Sequence, residues 1–328
     1  MRKKITKIIL ISLGVIVVGA GLFLLYLKIV LPDVGPPPEI QVVKTAENIE
    51  RGRYLANHVM VCMDCHSERD WSLFSGPPKP GTHGSGGEVF DQRMGFPGKF
   101  VARNITPARL SSWTDGEIFR AITSGVSKDG SALFNIMPYH HYGDLDEDDI
   151  RAVIAYLRTL DPIEHKVPES KADFPMNFII NTLPKEAELK DRPPKTDRIK
   201  YGEYMVTAGA CFDCHTKMEK GKFVGEPFAG GMEFEFPDGS VLRSANITPH
   251  TTGIGNWSKE QFVQRFKMYA DSAYSPHQVK PGEFQTMMPW MMYAGMTTED
   301  LEAIYAYLQT VDPVDKQVSL FTPAGNSE

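Results

Sequence analysis

A chain of 328 residues exceeds what one hydrophobic core usually fills and suits two domains of ordinary size. With 42% hydrophobic and 23% charged residues it is folded and water-facing, which excludes a disordered chain and a multi-span membrane protein. A formal net charge of -6 argues against nucleic acid as a partner.

The first element is an uncharged run from Ile8 to Leu27 behind Arg2, Lys3, Lys4 and Lys7. About twenty helical residues cover roughly 30 Å, the thickness of a bilayer's hydrocarbon core. The run is a transmembrane helix or a long signal peptide. It continues through Leu22-Phe23-Leu24-Leu25, past the small residues of Val18-Gly19-Ala20, which favours an uncleaved anchor over residues 1–31. The basic residues place its start in the cytoplasm and everything after Leu31 outside. Pro32 and Gly35-Pro36-Pro37-Pro38 then predict a stiff stalk over 32–46.

The next landmark, Cys62-Met63-Asp64-Cys65-His66, returns as Cys211-Phe212-Asp213-Cys214-His215. C-x-x-C-H is the attachment signature of c-type haem: two thiols form thioethers with the vinyl groups, and the following imidazole binds the iron. The four cysteines of the chain are all used this way. A zinc site built from two Cys pairs usually keeps them within about 15 to 20 residues of each other. Here 145 residues separate Cys65 from Cys211. A thioredoxin-like dithiol would need a βαβ pattern nearby, and none is evident. Two covalent haem c groups are therefore expected, attached at Cys62, Cys65, Cys211 and Cys214, with iron on His66 and His215. Such attachment takes place on the outer side of a bacterial membrane, in agreement with the orientation of the anchor.

Other landmarks recur in the same order. Gly52-Arg53-Tyr54-Leu55 matches Gly202-Glu203-Tyr204-Met205, Asn104-Ile105-Thr106-Pro107 matches Asn246-Ile247-Thr248-Pro249, and Trp113 matches Trp257. Met137-Pro138-Tyr139 matches Met288-Pro289-Trp290, and Ala155-Tyr156-Leu157 matches Ala306-Tyr307-Leu308, with Asp-Pro following in both copies. Constant order with loop-sized insertions is the trace of a duplicated domain. The closing segments read as helices, with Ile150, Val153, Ile154 and Leu157, and Leu301, Ile304, Tyr305 and Leu308, at i, i+3, i+4 and i+7. Asp146 with Asp149, and Thr297 with Asp300, are candidate capping pairs. The Gly-x-Tyr segments are expected as short helices packed on these closing helices through the glycine. Residues 163–198 read as a connector with one apolar island, Phe178-Ile179-Ile180, docked on a domain. Gly81 to Gly87 lacks the Lys-Ser/Thr of a phosphate loop and reads as a surface loop confined to the first copy.

The sixth iron position decides between carrier and enzyme. Met137 and Met288 are the expected distal ligands, 71 and 73 residues after their histidines, each before a proline and the closing helix. Repetition at one landmark separates these two from the fifteen methionines of the chain, most of which fill core. Met287 is a competitor without the following proline. His140-His141 stands where the second copy has Met291-Met292 and offers a nitrogen alternative at the first site, or simply two loop histidines. Tyr139, Trp290, Trp113 and Trp257 are expected to wall the crevices. The Asn-Ile-Thr segments match a glycosylation sequon but recur with their proline, which assigns them to the fold.

Together these residues resemble the class I c-type cytochromes, and in particular the haem domains of membrane-bound cytochrome c subunits of periplasmic alcohol and sugar-acid dehydrogenases. The resemblance implies a mainly α protein: an N-terminal transmembrane helix and two tandem cytochrome c domains, 47–162 and 199–315, joined by 163–198 and followed by a tail, 316–328. It also implies His66/Met137 and His215/Met288 as axial pairs and no catalytic residue. The expected function is electron relay on the outer face of the plasma membrane, between a dehydrogenase or quinol-oxidising complex and a respiratory acceptor such as a terminal oxidase. A dihaem enzyme of the peroxidase or thiosulfate dehydrogenase type is the alternative; no general acid accompanies either Met-Pro landmark.

Overall fold

The computed structural model describes residues 2–325, and the chain it shows is mostly helical. Met1 of the anchor and residues 326–328 of the tail lie outside the described residues. Helix α1 (Arg2–Ile29) is long and apolar enough to cross a membrane, and apart from Leu27 its side chains face outward rather than into the protein. The N-terminal half contains α2 (Ala46–Tyr54), α3 (Cys62–Cys65), α4 (Pro107–Leu110), α5 (Asp115–Ser124), α6 (Tyr139–Tyr142) and α7 (Glu147–Leu157). After the short α8 (Met176–Ile179), the C-terminal half contains α9 (Arg198–Ala208), α10 (Cys211–His215), α11 (Lys259–Lys267), α12 (Trp290–Tyr293) and α13 (Thr298–Leu308).

Local sequence accounts for the longer helices. Capping boxes start two of them, Thr114 with Glu117 on α5 and Ser258 with Gln261 on α11. The expected glycine contacts form. A Cβ on Gly52 would stand 1.8 Å from the Ala152 carbonyl oxygen, and one on Gly202 would stand 2.0 Å from that of Ala303. Only glycine lets α2 meet α7, and α9 meet α13, at this separation.

The two halves differ by one residue in front of their cysteines: Cys62 follows Gly52 by ten positions and Cys211 follows Gly202 by nine. The surplus is absorbed as a π-helical turn at Leu55–Val59, closed by the Met60 N–H donating to the Leu55 carbonyl at 2.8 Å. Its His58 turns toward the other half. Nδ1 lies 2.9 Å from the Met292 carbonyl oxygen, in space that a side chain at Gly295 would fill.

Several boundaries shift from the sequence-based expectation. Residues 38–42 do not form a free stalk: the Val42 N–H donates to Asp115 at 2.8 Å, and the Pro38 carbonyl fills the space beside Gly116. The connector and the tail each return a strand to the half before them. β1 (Val89–Phe90), β2 (Gly98–Val101) and β3 (Lys171–Ala172) form one antiparallel sheet. After the hairpin of β4 (Met218–Glu219) and β5 (Lys222–Phe223), β6 (Glu233–Glu235), β7 (Val241–Arg243) and β8 (Phe321–Thr322) form another. Strands this short carry no alternation, so polar connectors hid them. The apolar island of the connector meets the end of α1: Asn181 donates to the Leu27 carbonyl at 2.8 Å, and the Lys28 ammonium lies 5.4 Å from the Phe178 ring centre.

One hydrophobic core runs through both halves, from Leu55, Val59, Met63 and Ile154 to Met205, Met296, Leu301 and Leu308. Tyrosines of the Gly-x-Tyr segments stitch it crosswise. Tyr54 donates to Asp300 at 2.5 Å and accepts from the Thr297 N–H at 3.1 Å, while Tyr204 donates to Asp149 at 2.6 Å and accepts from the Asp146 N–H at 3.3 Å. Asp149 and Asp300 therefore do not complete capping boxes of their own. In each closing helix a phenol from the opposite half satisfies the N-cap backbone N–H, and the carboxylate at N3 accepts a hydrogen bond from that phenol.

Candidate haem-attachment sites

Both C-x-x-C-H segments begin from a residue in the left-handed region, Val61 at φ 46° and Ala210 at φ 48°. A β-branched residue such as Val61 adopts this conformation only where its surroundings enforce it, and both halves enter the motif through the same turn.

Each histidine is held by the same device. His66 Nδ1 lies 2.6 Å from the Arg103 carbonyl oxygen and His215 Nδ1 lies 2.8 Å from that of Ala245. Burial lowers the pKa of both imidazoles and so favours their neutral form. The Nδ1–H then donates to the carbonyl, and Nε2 is left with a lone pair.

The carbonyls are placed by the Asn-Ile-Thr-Pro segments that start one residue later. Asn104 Oδ1 accepts from the Thr106 N–H at 2.8 Å and its hydroxyl at 2.7 Å, and Asn104 Nδ2 donates to the Ile163 carbonyl at 2.8 Å. Asn246 repeats this with Thr248 at 2.9 and 2.8 Å and with the Val314 carbonyl at 2.9 Å. Both asparagines are buried, as a structural role requires. The glycine-rich stretch belongs to the same device. Gly84, Ser85 and Gly86 are buried, the Gly86 N–H donates to the His66 carbonyl at 2.9 Å, and in the second half the Gly230 N–H donates to the His215 carbonyl at 2.7 Å. The loop is thus neither wholly superficial nor confined to the first half. A Cβ on Gly86 or Gly230, both at positive φ, would stand 2.6 or 2.4 Å from backbone. The paired Gly-Gly steps, 86–87 and 230–231, were the visible signal.

All four cysteines are free thiols. Burial pushes those of Cys62, Cys65 and Cys211 up to about 12, the reverse of the low pKa of an exchange-active dithiol. Among the described residues, no cysteine belongs to a group of three or more converging metal-ligating side chains. Met137 and Met288 are half-buried against the core that also takes Cys62 and Cys211. His140 and His141 turn instead to Asp213, at 3.3 and 2.8 Å.

Residues 199–312 match the family described as cytochrome c. That family implies covalent haem c with its iron. The fructose dehydrogenase cytochrome subunit of Gluconobacter japonicus is 26% identical over 80% of this chain and 52% of its own length. The gluconate 2-dehydrogenase cytochrome c subunit of Pantoea cypripedii is 39% identical over 39% of this chain and 26% of its own. A diheme cytochrome c-type protein of Cereibacter sphaeroides is 26% identical over 77% of this chain and 83% of its own. The chain thus spans about half the length of the fructose dehydrogenase subunit it matches.

In the cytochrome c domain, Trp290 lies against Phe266 and Tyr269, with Arg265 4.4 Å from its ring centre, and Trp257 reaches solvent. In the N-terminal half Tyr139 is buried with its hydroxyl unpartnered, and Trp113 carries Arg109 at 4.9 Å. Sequence reasoning missed the support beneath Met288. Ser75 of the N-terminal half donates to the Met288 carbonyl at 2.6 Å and accepts from the Trp290 N–H at 3.2 Å. Gln285 ties the same loop down by accepting from the Ser75 N–H at 2.8 Å and donating to the Leu73 carbonyl at 2.9 Å. Arg69, paired with Asp64 at 2.9 Å, donates to the Ser75 carbonyl at 2.8 Å. Nothing in the spacing of these residues foretold a contact across some two hundred positions.

Proposed function

We propose that the chain is a membrane-anchored dihaem cytochrome c that relays electrons on the outer face of the plasma membrane. Its units are the anchor 1–31, a first cytochrome c domain, 47–162, and a second, 199–315, joined in sequence by segments 32–46 and 163–198 and followed by the tail 316–328. Cys62, Cys65 and His66 attach the first haem, with Met137 as distal ligand; Cys211, Cys214 and His215 attach the second, with Met288. One observation carries the proposal: in both halves the Nδ1 of the motif histidine is taken by a carbonyl that an Asn-x-Thr turn presents. The residues fit the group. The thiols are unpaired and protonated, each imidazole offers Nε2, and the buried Tyr139 hydroxyl awaits a polar partner.

Once attached, haem c supplies an iron that gains and loses one electron. The chain's own part is to hold Nε2 and a thioether in fixed positions and to keep water away. Thioether sulfur is a soft neutral donor that favours the ferrous state and raises the potential. The engagement of His140 and His141 with Asp213 supports Met137 over nitrogen at the first site. The likeness to dehydrogenase cytochrome subunits supports a dehydrogenase or quinol-oxidising donor and a respiratory acceptor.

Pyridine haemochrome assay with a spectroelectrochemical titration of the detergent-solubilised chain tests this. Two haems per chain are expected, both low-spin with ferric Met-to-iron charge transfer and unreactive to peroxide. A single haem, or a high-spin or peroxide-reactive one, would overturn the relay in favour of an enzyme.

A further inference from the structure

Asp64 and Asp213 occupy the same position in the two C-x-x-C-H motifs but are answered differently. Asp64 is met by one permanent cation, Arg69, with both side chains buried. Asp213 is met by two imidazoles of the N-terminal half, His141 Nε2 at 2.8 Å from Oδ1 and His140 Nε2 at 3.3 Å from Oδ2. Neutralising one carboxylate takes one cation, as Arg69 shows. Two converging imidazoles do more than that.

We propose that His140, His141 and Asp213 form a binding site for a divalent transition-metal ion, at the junction of the two halves. The donor atoms lie within 4.8 Å of one another, the only such group of three His, Cys, Asp or Glu among the described residues. Nitrogen and oxygen donors on one ion, with bonds of about 2.0–2.2 Å, stand roughly 2.8–3.6 Å apart at octahedral to tetrahedral angles. The two His–Asp separations sit near that span before any ion is added. Side-chain exposures of 35%, 18% and 23% leave an entry path and room for water at the remaining positions. Among the described residues no Lys or Arg ion-pairs with Asp213, so no fixed charge competes with the ion for the carboxylate. Two imidazoles and one carboxylate suit Zn2+, Cu2+ or Ni2+ rather than the all-oxygen shells of Mg2+ or Ca2+. A bound ion would clamp the segment after Met137 to the turn that holds Cys211 and Cys214.

The test is Zn2+ titration by calorimetry on the full chain in detergent, stripped by chelator, beside the His140→Ala/His141→Ala variant. Both proteins are first matched for haem content and helical circular dichroism, so a haem result that contradicts the relay leaves this outcome readable. One saturable Zn2+ per chain is expected, weakened about tenfold or more in the variant, with a zinc-edge absorption spectrum showing two imidazole nitrogens near 2.0 Å. Equal Zn2+ binding by wild type and variant, or no saturable binding to wild type, would overturn the site. Should the double variant lose haem or helix, His141→Gln alone carries the comparison, and an undiminished affinity there counts equally against it.

Discussion

At the scale of single residues, the asparagines do more for the sites than their place outside the C-x-x-C-H motif suggests. Asn246 holds the turn whose preceding carbonyl fixes the tautomer of His215. Asn246→Ala leaves buried donors and acceptors unpaired, at a cost of about 1–3 kcal/mol. The expected result is a weakened low-spin spectrum at the second haem with the first unchanged; equal loss at both haems would contradict a local role. Asp149 sets an acid limit. Burial pushes its pKa up, but Arg51, Tyr204 and Arg192 outweigh burial and hold the carboxyl below its ordinary value. A carboxyl lowered on folding contributes stability above its unfolded pKa of about 3.9, and that contribution disappears as pH falls through the folded value. Denaturant midpoints of wild type and Asp149→Asn should therefore differ at neutral pH and converge below about pH 4. A gap that stays constant down to pH 3 would remove Asp149 from the account.

At the scale of elements, the glycine crossings are the most sensitive points. Gly202→Ala places a methyl group against the Ala303 carbonyl, and backbone cannot yield as a side-chain tip can. Forcing α9 away from α13 should cost about 1–3 kcal/mol, read as a lowered melting temperature. A wild-type melting temperature for Gly202→Ala would refute the close crossing. These helices were legible in the sequence because an i, i+3, i+4 pattern and a glycine repeated at matching landmarks, as were the C-x-x-C-H turns. What stayed hidden shared a physical cause. β3, β8 and the Pro38–Val42 segment owe their conformation to backbone groups of distant neighbours, which leave no mark in side-chain periodicity. Of the two capping pairs only one was half right: Thr297 accepts from the Asp300 N–H at 3.1 Å with the reciprocal bond going to a tyrosine from the other half, whereas Asp146 accepts from the Asp148 N–H rather than from Asp149.

At the scale of the molecule, each C-x-x-C-H turn is tied to the other half's methionine segment. Asp213 reaches the histidines that follow Met137, and Asp64 reaches Met288 through Arg69 and Ser75. Ser75→Ala, a change in the N-terminal half, should therefore weaken the Met charge-transfer band and lower the potential of the second haem while sparing the first. If the first haem responds instead, the crosswise support is wrong. The π turn gives this exchange a direction. Were the halves equal, either could meet a copy of itself from a neighbouring chain as well as its own counterpart. The surplus residue at Leu55–Val59 sets His58 toward the Met292 carbonyl and the bare Gly295, features that a second N-terminal half does not present. Pairing like with like would bring two bulged turns together with no cleft for either. One inserted residue thus makes the seam fit an unlike partner rather than a second copy of the same half.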